Sequence, residues 1–97
     1  MMREKMTLEL RTLLAGVVLS RAFVRKGFVE LNMKPFFPKL VHTYFGGGYR
    51  KTGKGESCRE RVRLYGQNAK EFLECLEPYF LGPQGVRIRK LLQKWGS

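Results

Sequence analysis

The stretch that most restricts this chain is Leu13–Ala22, which reads LLAGVVLSRA. Seven consecutive apolar or small residues, Leu13 to Leu19, are too many for a helix that buries only one face. At helical spacing Leu10, Leu14 and Val18 form one row, while Leu13, Gly16, Val17 and Ser20 form another. Gly16 and Ser20, four apart, are a small-xxx-small pair that lets a second helix backbone come close, and this steric logic does not require lipid. The run is far short of the roughly 20 residues a bilayer span needs. The pattern predicts a helix packed on its own domain on one side and on a partner on the other, with Leu13, Gly16, Val17 and Ser20 as a homodimer interface. A central core helix of a monomer is the alternative.

A chain of 97 residues is the size of one domain, expected here to span 1–97. Lysine and arginine total 19 against 8 acids, a net charge of +11, and all the acids are glutamates. An excess of this size on a folded domain points to a phosphate-rich partner, nucleic acid ahead of an anionic membrane. A surface tuned only for solubility mixes its signs more evenly. Cys58 and Cys75 lack a CxxC neighbour, which argues against a zinc site and for reduced thiols in an intracellular protein. The opening MMREKMTLELR alternates charged and apolar residues and has no signal-peptide hydrophobic region, so export is not expected.

Along the chain, a first helix is expected from about Thr7 to Ser20, with Glu9 in its first turn. Residues 22–33 read as a hairpin turning at Arg25-Lys26-Gly27, with Val29, Leu31 and Met33 on one side. Pro38 suits the first turn of a second helix to Phe45, striped by Phe37, Leu40, Val41, Tyr44 and Phe45 and ended by Gly46-Gly47-Gly48. A strand starts at Tyr49–Lys51, and a charged loop runs from Thr52 to Ser57. In the next strand, Cys58–Tyr65, Val62 and Leu64 alternate with Arg59, Arg61 and Arg63. Asn68 and Glu71 resemble a capping box for a third helix, whose end Pro78 shortens or kinks. Gly82-Pro83-Gln84-Gly85 reads as a turn before a last helix bearing Ile88, Leu91, Leu92 and Trp95. The order is α-β-β-α-β-β-α-α, which predicts an α+β domain with a four-stranded antiparallel sheet and helices on one face.

Leu14 to Ala22 resembles a decayed LAGLIDADG motif. The element order is similar to that family's α-β-β-α-β-β-α layout. LVHTYFGGGYRK (Leu40 to Lys51) and FLECLEPYFLG (Phe72 to Gly82) are similar to phrases that recur in it, so the likeness runs from about Leu10 to Trp95. The family comprises homing endonucleases, intron maturases and non-cleaving DNA-binding relatives. One motif per chain implies a homodimer packed through the motif helix, with a saddle-shaped sheet lying in the DNA major groove. The family's metal-binding catalytic carboxylate occupies the eighth motif position, which here is Arg21; the sixth is Leu19 and the closing glycine is Ala22. A guanidinium repels Mg²⁺, which takes hard oxygen ligands, and two-metal hydrolysis needs those carboxylates. Neither Glu9 nor Glu30 is placed as a substitute. The resemblance therefore implies a catalytically inactive descendant in which Arg21 contacts the phosphate the metals once held. No catalytic residue, metal or other cofactor is expected.

The residues expected to hold nucleic acid are Arg21, Arg25, Lys26, Arg50, Lys51, Lys54, Arg59, Arg61 and Arg63. Arginines at alternate positions of one strand stand about 7 Å apart and suit phosphates and guanine edges. An ordinary solvated face is the plainer reading of the same alternation. Lys54 sits in a loop that is either a phosphate clamp or a disordered hairpin tip. Gly48 to Gly55 nearly spells a phosphate-binding P-loop, but Gly55 replaces the metal-holding Ser or Thr and a strand follows, so the match is coincidental. The single histidine, His42, reads as structural, without a placed partner for general-base work. The expected function is binding of double-stranded nucleic acid, DNA ahead of RNA, by a homodimer without cleavage. No membrane or small-molecule partner is expected. The alternatives are an RNA-binding maturase-like or ribonucleoprotein component, an endonuclease with unrecognised metal ligands, and a protein that docks an acidic protein partner.

Overall fold

The computed structural model describes residues 6–95; the first five residues, part of the charged opening read above, lie outside them. The chain forms α1 (Leu8–Arg21), β1 (Phe23–Arg25), β2 (Phe28–Met33), α2 (Phe37–Phe45), β3 (Gly48–Thr52), β4 (Arg59–Tyr65), α3 (Gly66–Leu76) and α4 (Gly82–Lys94). Short 3-10 turns at Gly55–Ser57 and Glu77–Tyr79 complete it. The four strands make one antiparallel sheet in the order β1-β2-β4-β3. This is the α+β class and the element order that periodicity predicts.

Thr7 caps α1 by accepting the Leu10 amide at 3.1 Å, so the helix starts where the Thr7 signal places it. Leu14, Ala15 and Val18 face inward and are buried. They join Val24, Val29, Leu31, Val62 and Leu64 from the sheet, Val41 and Phe45 from α2, and Phe72, Leu73 and Leu76 from α3 in one core. Phe80 and Ile88 extend that core, and Trp95 closes it at 9% exposure. Phe45 meets Phe72 edge to face at 5.1 Å, tying α2 to α3.

Two expectations give way to tertiary contacts. The third helix begins at Gly66, not Asn68, and no side chain caps it. Gly66 takes φ +54°, and its amide donates to the Gly27 carbonyl at 2.9 Å, so the β1–β2 turn satisfies one of the orphan amides at the start of the helix. The segment Gly82-Pro83-Gln84-Gly85 is the first turn of α4, not a loop. Pro83 fits that turn, and Gly85 lies against the Phe80 backbone, where an added Cβ would come within 2.9 Å of the Phe80 carbonyl carbon. Pro78 falls in the 3-10 turn just beyond α3, which it shortens. Among the described residues no helix is long and apolar enough to cross a membrane.

The junction from α2 to β3 depends on Gly47. It holds φ +84°, and an added Cβ would sit 2.4 Å from the Arg63 carbonyl oxygen and 2.6 Å from Leu64 Cδ2. Substituting Gly47→Ala is expected to destabilise the domain by about 2–3 kcal/mol, read as a lowered urea midpoint with an unchanged slope.

Candidate nucleic-acid interface

The sheet has two chemically different sides. Alternation along β4 sends Glu60, Val62 and Leu64 under the helices and Arg59, Arg61 and Arg63 outward. Cross-strand register extends the outward side. Asn32, Arg61 and Arg50 form one row, Glu30, Arg63 and Gly48 the next, and Arg25, Phe28 and Tyr65 a third at the far end. Arg50, Arg61, Arg63 and Tyr65 line a groove of about 340 Å³ on this open face, with Gly48 and Tyr49 at its edge.

The arginines are not equivalent. Arg63 Nε donates to Glu30 Oε1 at 2.6 Å, and this hydrogen bond raises the guanidinium's pKa still further. Glu30, which sequence reasoning considered only as a metal ligand, thus neutralises part of the basic face. Arg59 uses Nε and Nη2 to hold the Asn32 side-chain and backbone oxygens at 3.3 and 3.2 Å, which fixes its direction while leaving it charged. Arg21, exposed in the last turn of α1, lines a depression of about 280 Å³ with Met33, Lys34 and Arg59. Three cations at one depression suit an anion far better than a divalent metal. Lys34 belongs with this group although it was absent from the expected set, since only the tertiary structure sets it beside Arg21 and Arg59.

Lys51 departs from the expected set. It pairs in register with Glu60 and so shares the Tyr49 side of β3, opposite Arg50, exposed at the sheet's edge. A strand's period of two separates neighbours in sequence onto opposite faces. Arg25 lies on the open face with its guanidinium carbon 4.7 Å from the Phe23 ring centroid, and Lys26 sits in the β1–β2 turn. Lys54 occupies the β3–β4 tip. That tip is a hydrogen-bonded 3-10 turn in which Ser57 Oγ donates to the Lys54 carbonyl at 2.7 Å. No α-helix follows Lys54; a single 3-10 turn leads into β4, as the failed P-loop match requires.

Beneath the sheet, Glu60 is 3% exposed. Its Oε2 accepts the Tyr49 hydroxyl, while Oε1 has no partner among the described residues. Tyr49 in turn stacks on His42 at 5.3 Å, and His42 Nδ1 lies 3.2 Å from the Gly46 carbonyl. His42 thus serves the end of α2. Among the described residues no group of three or more His, Cys, Asp or Glu side chains is arranged to hold a metal ion. Cys58 and Cys75 are free thiols.

On α1 the row Leu13, Gly16 and Ser20 is exposed, Leu13 at 59%, and Val17 is half-buried against the core. An added Cβ at Gly16 would meet nothing within 4 Å. Ser20 Oγ donates back to the Gly16 carbonyl at 2.9 Å, so its polar group is satisfied within the helix. The sequence reading also passed over Phe23, Phe28 and Tyr65. Each is an aromatic residue in the outward register of its strand, opposite Val24, Val29 and Leu64, and that misplaced hydrophobicity is the signal that marks them. The chain matches no family model and no curated protein.

Donation to Glu60 pushes the Tyr49 phenol up to about 12, with burial adding to the shift. The fold holds this proton more tightly than the unfolded chain, so the stabilisation it gives is complete below pH ~10 and fades as pH rises toward 12. Ring-carbon NMR is expected to show Tyr49 still protonated at pH 11, and Glu60→Gln should return its midpoint toward ~10.

Proposed function

We propose that the protein binds double-stranded nucleic acid on the open face of its sheet and does not cut it. The supporting observation is the outward arginine set. Arg50, Arg61 and Arg59 stand on adjacent β3 and β4, Arg21 and Lys34 extend the charge beyond one end, and a groove runs between Arg50, Arg61 and Arg63. In a chain of net charge +11 this face offers guanidinium groups that suit both a phosphate backbone and base edges. DNA is the favoured duplex. The reading includes descent from a single-motif LAGLIDADG endonuclease and the saddle-like use of the sheet. The order β1-β2-β4-β3 beneath a first helix carrying the motif-like stretch is compatible with that origin.

Loss of cleavage is part of the proposal. Arg21 stands in the motif position where the family places its metal-binding acid, and Arg59 and Lys34 share its depression. A second copy of the chain completes the binding unit through Leu13, Gly16, Val17 and Ser20. Leu13 is an apolar residue left in water, and the bare surface at Gly16 permits close helix approach. Two-fold symmetry then calls for a pseudo-palindromic site. RNA is the second reading, favoured by the aromatic residues on the same face. The protein is proposed to work inside the cell.

Arg61→Ala and Arg50→Ala are each expected to weaken duplex binding and to reduce the slope of log affinity against log salt by about 1, in fluorescence anisotropy titrations. Supercoiled plasmid should stay intact with Mg²⁺ or Mn²⁺; metal-dependent nicking would refute the loss of cleavage. Gly16→Leu should reduce the sedimenting mass to that of one chain with helix content retained, and an unchanged mass would remove α1 from the interface.

A further inference from the structure

The open face divides into an arginine half and an aromatic half. At the hairpin end, Phe23 and Phe28 meet edge to face at 6.2 Å, and Phe28 and Tyr65 lie 5.1 Å apart. Three consecutive strands β1, β2 and β4 contribute one ring each. Phe23 is 48% and Tyr65 58% exposed, on the side of the sheet away from the core. A patch of rings held in water is unfavourable for a monomer unless something covers it. Two features specify what does. Arg25 already places its guanidinium carbon over the Phe23 ring, so the patch accepts a flat, polarisable group. Tyr65 also lines the groove shared with Arg50, Arg61 and Arg63, so whatever sits on the rings is continuous with a polyanion on the arginines.

Resting on the second, RNA reading of this face, we propose that Phe23, Phe28 and Tyr65 stack an unpaired base of a folded RNA while Arg50 and Arg61 hold the adjoining helix by its backbone. Base pairs within a duplex keep their faces covered by their neighbours and cannot stack on a protein ring. Bulges and loops of RNA present such faces, and proteins that read them use exposed aromatic rings on a sheet. The Arg61 row lies two strand repeats from the Tyr65 row, about 14 Å along β4, which leaves room for a short stretch of backbone between the stacked base and the held phosphates. Charge complementarity selects nucleic acid over an apolar protein partner, since Arg25 and Lys26 flank the rings at the opposite end.

The test uses the full chain and fluorescein-labelled hairpins: an RNA hairpin with one bulged adenosine, the same hairpin fully paired, and both sequences as DNA. The bulged RNA is expected to bind about tenfold more tightly than the paired RNA, the size of one base–ring stack. Phe23→Leu should abolish that preference while leaving the paired hairpin's affinity unchanged; Tyr65→Leu, which also alters the groove beside Arg61 and Arg63, should abolish it too, and Tyr65→Phe should keep it. Arg61→Ala should weaken both RNAs equally. A bulged 2-aminopurine should lose fluorescence on binding the unaltered protein and not on binding Tyr65→Leu. Both leucine variants change half-exposed side chains, and their circular dichroism should match that of the unaltered protein. Equal binding of bulged and paired RNA overturns the stacking proposal and leaves the arginine face standing, as does equal weakening of both RNAs by Phe23→Leu. Equal affinity for bulged DNA overturns the assignment to RNA. Failure of every hairpin to bind overturns the nucleic-acid reading together with the stack.

Discussion

The alternation of β4 governs this molecule. One seven-residue strand, hydrogen-bonded on both sides, directs Glu60, Val62 and Leu64 into the helix layer and Arg59, Arg61 and Arg63 into solvent. A slip of one residue would bury three guanidinium groups and expose the core, so hydrophobic burial and charge solvation enforce the same register. β2 and β3 inherit their sidedness from it. The open face is therefore basic because the covered face is apolar, and the candidate binding surface and the core are two outcomes of a single constraint.

Acidic residues refine that division. Glu30 reaches Arg63 across the β2–β4 pair, lowering the free positive charge in the middle of the face while leaving Arg61 and Arg50 toward one end. A half-exposed pair of this kind contributes little to stability, so its main consequence is to orient Arg63 and shape the field. Glu60 acts on the other side. It is buried beside the edge strand and satisfied in part by Tyr49, which links β3 to β4 by a side-chain bond in addition to the ladder. Both glutamates are local adjustments to a surface whose sign is set by the arginines.

Much of this was legible from residue order because it arises from local periodicity. The Thr7 cap, the glycine stop after Phe45 and the β4 alternation each act within a few residues. The start of α3 was not, because the partner for the Gly66 amide is the Gly27 carbonyl, thirty-nine positions earlier (66 − 27). The helical state of Gly82–Gly85 was hidden for a similar reason. Its composition suggests a turn, whereas in the fold it forms the first turn of α4 with Gly85 packed on Phe80. Lys51 was grouped with Arg50 by proximity in sequence, which in a strand places two residues on opposite sides.

By itself the sequence determined the class of fold, the succession of elements, the excess of positive charge and the inward and outward positions within β2 and β4. These follow from side-chain polarity repeating at 2 or about 3.6 residues, a property of short segments. Tertiary structure alone decided which outward residues become neighbours. Strand pairing brought Phe23, Phe28 and Tyr65 together, joined Glu30 to Arg63 and set Arg21 beside Lys34 and Arg59. Such meetings depend on cross-strand register between distant segments, and no local pattern carries that information.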